Sequence, residues 1–176
     1  MKKLTTRSMT LMALLIAVMV VTERFFAVDT QFLRVSATFI PATLMGAVFG
    51  PLWSGIGSTL ADFVGMALFP KAAYFVGFSI NAFVTGAVYG YFYYKKEITW
   101  RRVIMATVLV TVIVHLILTP IWLAWMYNVP LNSWAIWTPR LIKNALMLPI
   151  QIVVTYFMGN LTTFKQLVLR GAASTK

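Results

Sequence analysis

The chain contains no cysteine, a single histidine and only 4 acidic residues in 176. Without thiols there is neither a disulfide nor a thiolate metal site. One histidine and four carboxylates are too few to assemble a multi-ligand metal centre with ease, so no metal and no other cofactor is expected. Charge of any sign is scarce, at 11% of residues, whereas 60% are hydrophobic and the mean hydropathy is +0.83. A soluble domain of this length cannot bury so much apolar surface. The composition is that of an all-α, polytopic membrane protein forming one domain over residues 1–176. Nucleotide and hydrolase signatures are also missing. Gly55-Ile-Gly57-Ser58-Thr59 lacks the lysine of a P-loop and lies inside an apolar run, which excludes ATP hydrolysis of that kind. There is no H-E-x-x-H, and His115 has no acidic neighbour in sequence with which to build a triad. Nor is there a two-fold internal repeat of the kind common in secondary transporters. The chain reads as a non-enzyme without an energy source of its own.

What is present is a series of apolar stretches that reads as a six-helix transmembrane bundle, with helices at about 9–22, 37–49, 52–69, 72–94, 103–127 and 135–164. Lys2, Lys3 and Arg7 before the first stretch resemble the start of a signal peptide. Thr22-Glu23-Arg24-Phe25-Phe26 offers no small-residue cleavage site, so a retained helix is expected. Residues 23–36 form the first polar interruption and read as an outer loop. Gly50-Pro51 marks a turn between two short helices, which implies tilt or a locally thin protein. Ser54, Gly55, Gly57, Ser58, Ala61 and Gly65 give the third helix a face for close packing. Pro120 is expected to kink or break the fifth helix. His115, alone in mid-span, fits a helix–helix hydrogen bond.

Six spans put both termini on one side. Lys2, Lys3, Arg7, Lys95, Lys96, Arg101, Arg102, Lys165, Arg170 and Lys176 then share that side, and the positive-inside rule makes it the cytoplasm. The net charge of +11 therefore needs no nucleic acid. Arg24, Arg34, Lys71, Arg140 and Lys143 remain on the outer half, where cations are normally depleted. Glu23, Asp29 and Asp62 can pair with some of them but are outnumbered. Phe25, Phe26, Phe32, Tyr74, Phe78, Trp122, Trp125 and Trp137 surround them. An anionic ligand with a flat ring satisfies both groups, since rings stack on aromatics and carboxylates pair with Arg and Lys.

The stretch from Trp122 to Asn144 concentrates this chemistry. It holds four of the 6 tryptophans, and Trp137, Arg140, Lys143 and Asn144 are spaced to share one helix face. A cation inside a membrane helix reads by default as functional, although snorkelling to lipid phosphate is the alternative for Arg140 and Lys143. Lys71, Tyr74, Phe78, Asn81 and Thr85 form a second helical stripe. Asn81 carries the donor and the acceptor needed to read an amide-like ring edge. Asp62 can accept from such a ring or pair with a neighbouring helix. Ala13 and Ala17, four apart on the first helix, form a small-residue surface for packing within the protein or for docking another membrane subunit.

Several segments carry a family resemblance: Ala13-Leu-Leu-Ile-Ala17, the run from Phe39-Ile-Pro41 through Gly46 to Gly50-Pro51, Gly57-Ser-Thr-Leu-Ala-Asp62, and Pro139-Arg140-Leu-Ile-Lys143. With six short spans, nearly the whole chain resembles the substrate-binding S components of energy-coupling factor (ECF) vitamin transporters, and most of all the folate-specific ones. The resemblance implies a vitamin cavity open to the outside of a bacterial-type plasma membrane, with residues 23–36 as its lid. It implies docking of Ala13 and Ala17 to a transmembrane coupling subunit, with two cytoplasmic ATPases supplying energy. The ligand-contacting set it implies, together with the charge argument, is Arg24, Phe25, Phe32, Arg34, Asp62, Lys71, Tyr74, Phe78, Asn81, Trp125, Trp137, Arg140, Lys143 and Asn144. Folate, with a flat pterin and an anionic glutamate tail, fits these residues. The same physics admits an S component for riboflavin or thiamine. The rival of another class is a membrane scaffold subunit whose cations bind only phospholipid headgroups.

Overall fold

Every long segment becomes helix. The computed structural model describes residues 5–25, 27–29, 34–70, 75–128, 134–161 and 166, with backbone only at 28, 29, 34, 35, 127, 134–136, 139 and 140. Helix α1 (Thr6–Phe25) leads into a minimal hairpin, β1 (Val28–Asp29) with β2 (Arg34–Val35), paired antiparallel in the register Val28 to Val35. Helices α2 (Phe39–Phe49), α3 (Pro51–Leu68) and α4 (Val76–Tyr93) follow. The fifth rod is continuous from Trp100 to Tyr127: α5 (Trp100–Val110), a π-helical stretch Thr111–Leu118, and α6 (Thr119–Tyr127). Helix α7 (Trp134–Asn160) follows. The all-α, six-rod membrane architecture implied by the sequence is what is found. Helix α1 runs to Phe25, into the segment read as an outer loop from Glu23.

The rods alternate in direction. Gly57 lies against Met12 and Gly65 against Arg24, so α1 and α3 run parallel. Gly86 faces Ser54 while Gly55 faces Phe83, so α3 and α4 run antiparallel. The bundle thus has a hairpin end, where α1 finishes and α4 begins, and an opposite end carrying Lys95 and Lys96. Glycines permit the closest approaches. A Cβ at Gly86 would sit 2.5 Å from the Ser54 carbonyl oxygen, and one at Gly90 would overlap the backbone of Pro51. Gly50 joins α2 to α3 with φ of 82°, a conformation that costs glycine little and other residues more.

The bundle is apolar outward and partly polar inward. Leu14, Phe63, Leu146 and Phe157 are exposed, whereas Ser54, Ser58, Ser79 and Asn81 are buried. In water such a surface would drive association; in a bilayer it is the solvated surface, and small polar residues bind helices to one another. This distribution, with the 11-residue length of α2, explains why length and hydropathy mark three helices among the described residues, Thr6–Phe25, Trp100–Met126 and Leu141–Asn160, as long and apolar enough to span a membrane. The serine hydroxyls that lower the hydropathy of α3 and α4, those of Ser54, Ser58 and Ser79, face protein rather than lipid.

Pro120 does not break its rod. Proline lacks an N–H and its ring crowds the carbonyl one turn back. Here the eight residues before Thr119 adopt wide π turns, a known way of absorbing a disturbance inside an α-helix. Thr119 Oγ1 donates to the Val114 carbonyl oxygen at 2.6 Å, five residues back, matching that wide register.

Candidate functional site

The hairpin end gathers four rings from two helices. Phe75 and Phe78 sit at the start of α4, one helical turn apart, and Trp122 and Trp125 are spaced alike on α6. Phe75 packs against Phe78 at 6.1 Å between ring centroids, and against Trp122 and Trp125 at 5.8 Å each. Trp122 and Trp125 stack at 6.5 Å with 28° between their planes. Trp125 is 70% exposed, so one side of this cluster is open.

Trp122 is held from behind. Its Nε1 donates to Asn81 Oδ1 at 3.1 Å, and Asn81 Nδ2 donates to Thr119 Oγ1, also at 3.1 Å. Asn81 is buried. It stands on the α4 stripe with Phe78 and Thr85, and the structure engages both ends of its amide with α6 rather than leaving them toward a ligand. Asp62 is buried on α3 and accepts from Ser79 Oγ at 2.7 Å, which ties α3 to α4. Of the two roles open to Asp62, the helix tie is the one occupied.

Arg24 is the outlier in charge. It lies in the last turn of α1, where a cation favours the helix dipole, yet it is only 5% exposed. Its Nε and Nη2 are buried with no hydrogen-bond partner. Gly65 makes room for it, since a Cβ there would be 3.0 Å from Arg24 Nε and 3.2 Å from Nη2. A buried guanidinium with unmet donors is costly, and an anion that reaches it recovers that cost.

The other expected residues distribute differently. Phe25 is exposed and packs edge-on to Phe69 at 5.4 Å, apart from the four-ring cluster. It lines a groove of about 400 Å³ between α1 and α3, together with Ala13, Ala17, Val64 and Leu68. Trp137, Lys143 and Asn144 are half-buried along α7. Asn144 has a buried Nδ2 without a partner and opens on a second groove, of about 320 Å³, between the π-helical stretch and α7. Phe32, Lys71 and Tyr74 lie outside the described residues, as do the side chains of Arg34 and Arg140. No group of three or more His, Cys, Asp or Glu capable of holding a metal occurs among the described residues. Sequence reasoning missed Phe75, Gly77 and Thr119, and took Trp122 only as a neighbour of the cations. The paired i, i+3 spacing of Phe75 with Phe78 and of Trp122 with Trp125 was the available signal.

Known proteins resemble this chain in sequence and in fold. Residues 7–159 match the family model described as ECF transporter, substrate-specific component. The chain is 39% identical over 145 residues to the folate transporter FolT of Clostridium novyi (strain NT), covering 82% of this chain and 83% of that one. It is 38% identical over 163 residues to the folate transporter FolT of Leuconostoc mesenteroides, covering 90% and 87%. A solved structure described as FolT bound with folic acid superposes with a TM-score of 0.86 at 60% identity, covering 89% of this chain and 94% of that one.

Proposed function

We propose, for a chain that belongs to the substrate-specific components of ECF transporters, that it is the membrane-embedded folate-binding subunit of a vitamin uptake system. The observation that carries this reading is the buried, unpaired guanidinium of Arg24 in a chain 60% identical to a protein crystallised with folic acid. Arg24 receives a carboxylate of the glutamate tail, a charge-assisted contact in which guanidinium geometry favours two parallel bonds. The rings of Phe75, Phe78, Trp122 and Trp125 receive the flat part of the ligand by stacking. Phe32, Arg34, Lys71 and Tyr74, with Trp137, Arg140, Lys143 and Asn144 from α7, complete the enclosure. Asp62 acts through Ser79 and the α3–α4 contact. The cavity opens to the outside of the plasma membrane and both termini are cytoplasmic.

The groove at Ala13 and Ala17 receives a transmembrane coupling subunit, and two ATPases on the cytoplasmic side drive release. Small residues on an exposed helix face let another membrane helix approach closely. Phe25 belongs to the rim of that groove rather than to the ligand.

Calorimetry on the purified protein in detergent, with folic acid, riboflavin and thiamine, tests the assignment. Folic acid alone binds tightly. A protein that takes up riboflavin or thiamine instead, or no ligand at all, refutes the folate assignment. Ala17→Trp leaves folic acid affinity intact and abolishes co-purification with the coupling subunit; assembly that survives this change rules out the docking face.

A further inference from the structure

The hydrogen-bonded chain behind Trp122 goes beyond what ligand contact requires. Val114 accepts from Thr119, Thr119 accepts from Asn81, and Asn81 accepts from the Trp122 indole, at 2.6, 3.1 and 3.1 Å. These contacts join α4 to the rod that carries the rings, across 38 and 41 residues of sequence. A second feature fixes the same indole from the side. A Cβ at Gly77 would lie 2.5 Å from Trp122 Cδ2 and 2.5 Å from a ring carbon of Phe75. Both rings therefore rest where any other residue would place a side chain. The indole is fixed in orientation by a bond at its nitrogen and in depth by the missing Cβ beneath it. Trp125, the exposed ring of the cluster, stacks on Trp122.

We propose that Asn81, Thr119 and Gly77 are positioning residues that set Trp122, and through it Trp125, as a fixed stacking surface for the fused-ring end of the ligand. This rests on the folate reading above and deepens it. The physical reason is preorganisation. An indole free to rotate must be ordered when the ligand arrives, and that ordering subtracts from affinity. An indole N–H inside a membrane needs an acceptor in any case, and Asn81 supplies one that also fixes the ring plane. Thr119 holds the Asn81 amide so that its oxygen, and not its nitrogen, faces the indole. Simple helix–helix adhesion by a buried polar pair is the competing account, and it makes no distinction between the two ends of the ligand.

The test compares folic acid, pteroic acid (which has the ring but no glutamate) and 4-aminobenzoylglutamate (which has the tail but no pterin), by calorimetry and displacement on the full chain. Trp122→Phe removes the N–H and keeps a ring. Asn81→Ala removes its acceptor. Each is expected to weaken folic and pteroic acid by about tenfold, the size of one lost hydrogen bond and its preorganisation, while 4-aminobenzoylglutamate is unchanged. The double variant weakens binding no further than either single change, because both break the same link. Thr119→Val weakens the ring ligands about threefold and Thr119→Ser restores them, since the hydroxyl is what matters. Gly77→Ala lowers pteroic acid affinity by about tenfold without affecting the tail fragment, because the displaced indole loses its stacking geometry. Additive losses in the double variant, or equal losses for ring and tail fragments, overturn the proposal. If Asn81→Ala does not fold, Trp122→Phe and the Thr119 pair decide it alone. Wild-type protein that fails to bind folic acid overturns this proposal and the folate reading together; wild-type binding that is insensitive to Trp122→Phe overturns this proposal only.

Discussion

Both ends of the bundle carry cations and aromatic rings, and they use them in opposite ways. At the end of α4 distant from the hairpin, Lys95 lies 5.4 Å from the centroid of the Tyr94 ring and Lys96 lies 5.0 Å from that of Tyr91. Lys96 Nζ also donates to the Tyr91 carbonyl oxygen at 3.1 Å, and Arg102 Nη1 donates to the Glu97 carbonyl oxygen at 2.8 Å. Lys95 and Lys96 are exposed. Lys95, Lys96 and Arg102 each have a local partner within a few residues, and solvent screens what remains. At the hairpin end Arg24 is buried with two donors unmet, and the rings are fixed by bonds from another helix. The residue types match; burial and saturation differ. A saturated, exposed cation holds a loop at the membrane surface, whereas a buried, unsaturated one has a binding energy still to release.

Four variants break or sharpen this contrast. The largest effect is expected from Arg24→Ala, which should weaken folic acid by about a hundredfold, the upper range for a hydrogen bond to a charged group. Its effect on the empty protein is the sharper reading. Removing an unpaired buried charge relieves a desolvation penalty, so the ligand-free melting temperature should hold or rise while the ligand-induced shift disappears. A fall in the ligand-free value would show that Arg24 is paired structurally and would erase the difference between the ends. Trp125→Ala comes next, with about a tenfold loss in folic acid affinity from one lost stacking partner; titration calorimetry measures it. Gly65→Ala should cost about threefold, because a methyl group displaces the far end of a flexible side chain that retains room to move. The same titration should show this loss vanish when Arg24 is already alanine. The smallest effect belongs to the opposite end. Lys95→Ala with Lys96→Ala should change folic acid affinity by less than about twofold, as surface charges of this kind usually do. A large loss there would mean that the two ends are energetically linked.

The fold was legible because a bilayer imposes few solutions. Long apolar runs become helices, and Gly50-Pro51 announces the turn that divides α2 from α3. Pro120 was harder. The rule that proline disturbs a helix was sound, but whether the chain bends, breaks or widens depends on neighbours that sequence does not display, and here Thr119 bonding to Val114 supports the wide form. Asn81 was visible as a polar residue on a stripe with Phe78. Its engagement with Trp122 and Thr119 depends on how α4 meets α6, and no periodicity within either helix encodes that. Phe25 illustrates the same limit. It reads in sequence as one of the aromatics around the outer cations, and it stands next to Arg24, but consecutive helical residues do not face each other. Arg24 turns in toward Gly65 while Phe25 turns out beside Phe69. Gly77 was legible only as a small residue, since the indole resting on it arrives from 45 positions further along the chain.

The π-helical stretch has a consequence for how this rod tolerates change in length. Each of its rungs spans five residues where an ordinary rung spans four, so the segments before and after it are out of phase with a single regular spiral. Excising one residue between 111 and 118 would let the rod relax to the ordinary pitch. The wide turns carry the extra residue, so the segment beyond would keep close to its present phase, with the tryptophans still toward α4 and Trp100 still beside Tyr156 at the other end; the same excision within α5 has no wide turn to draw on and would turn everything beyond it by about 100°, one residue's share of a 3.6-residue turn. Shortening by a single codon here should therefore be better tolerated than the same shortening in α5, with the membrane span itself left intact.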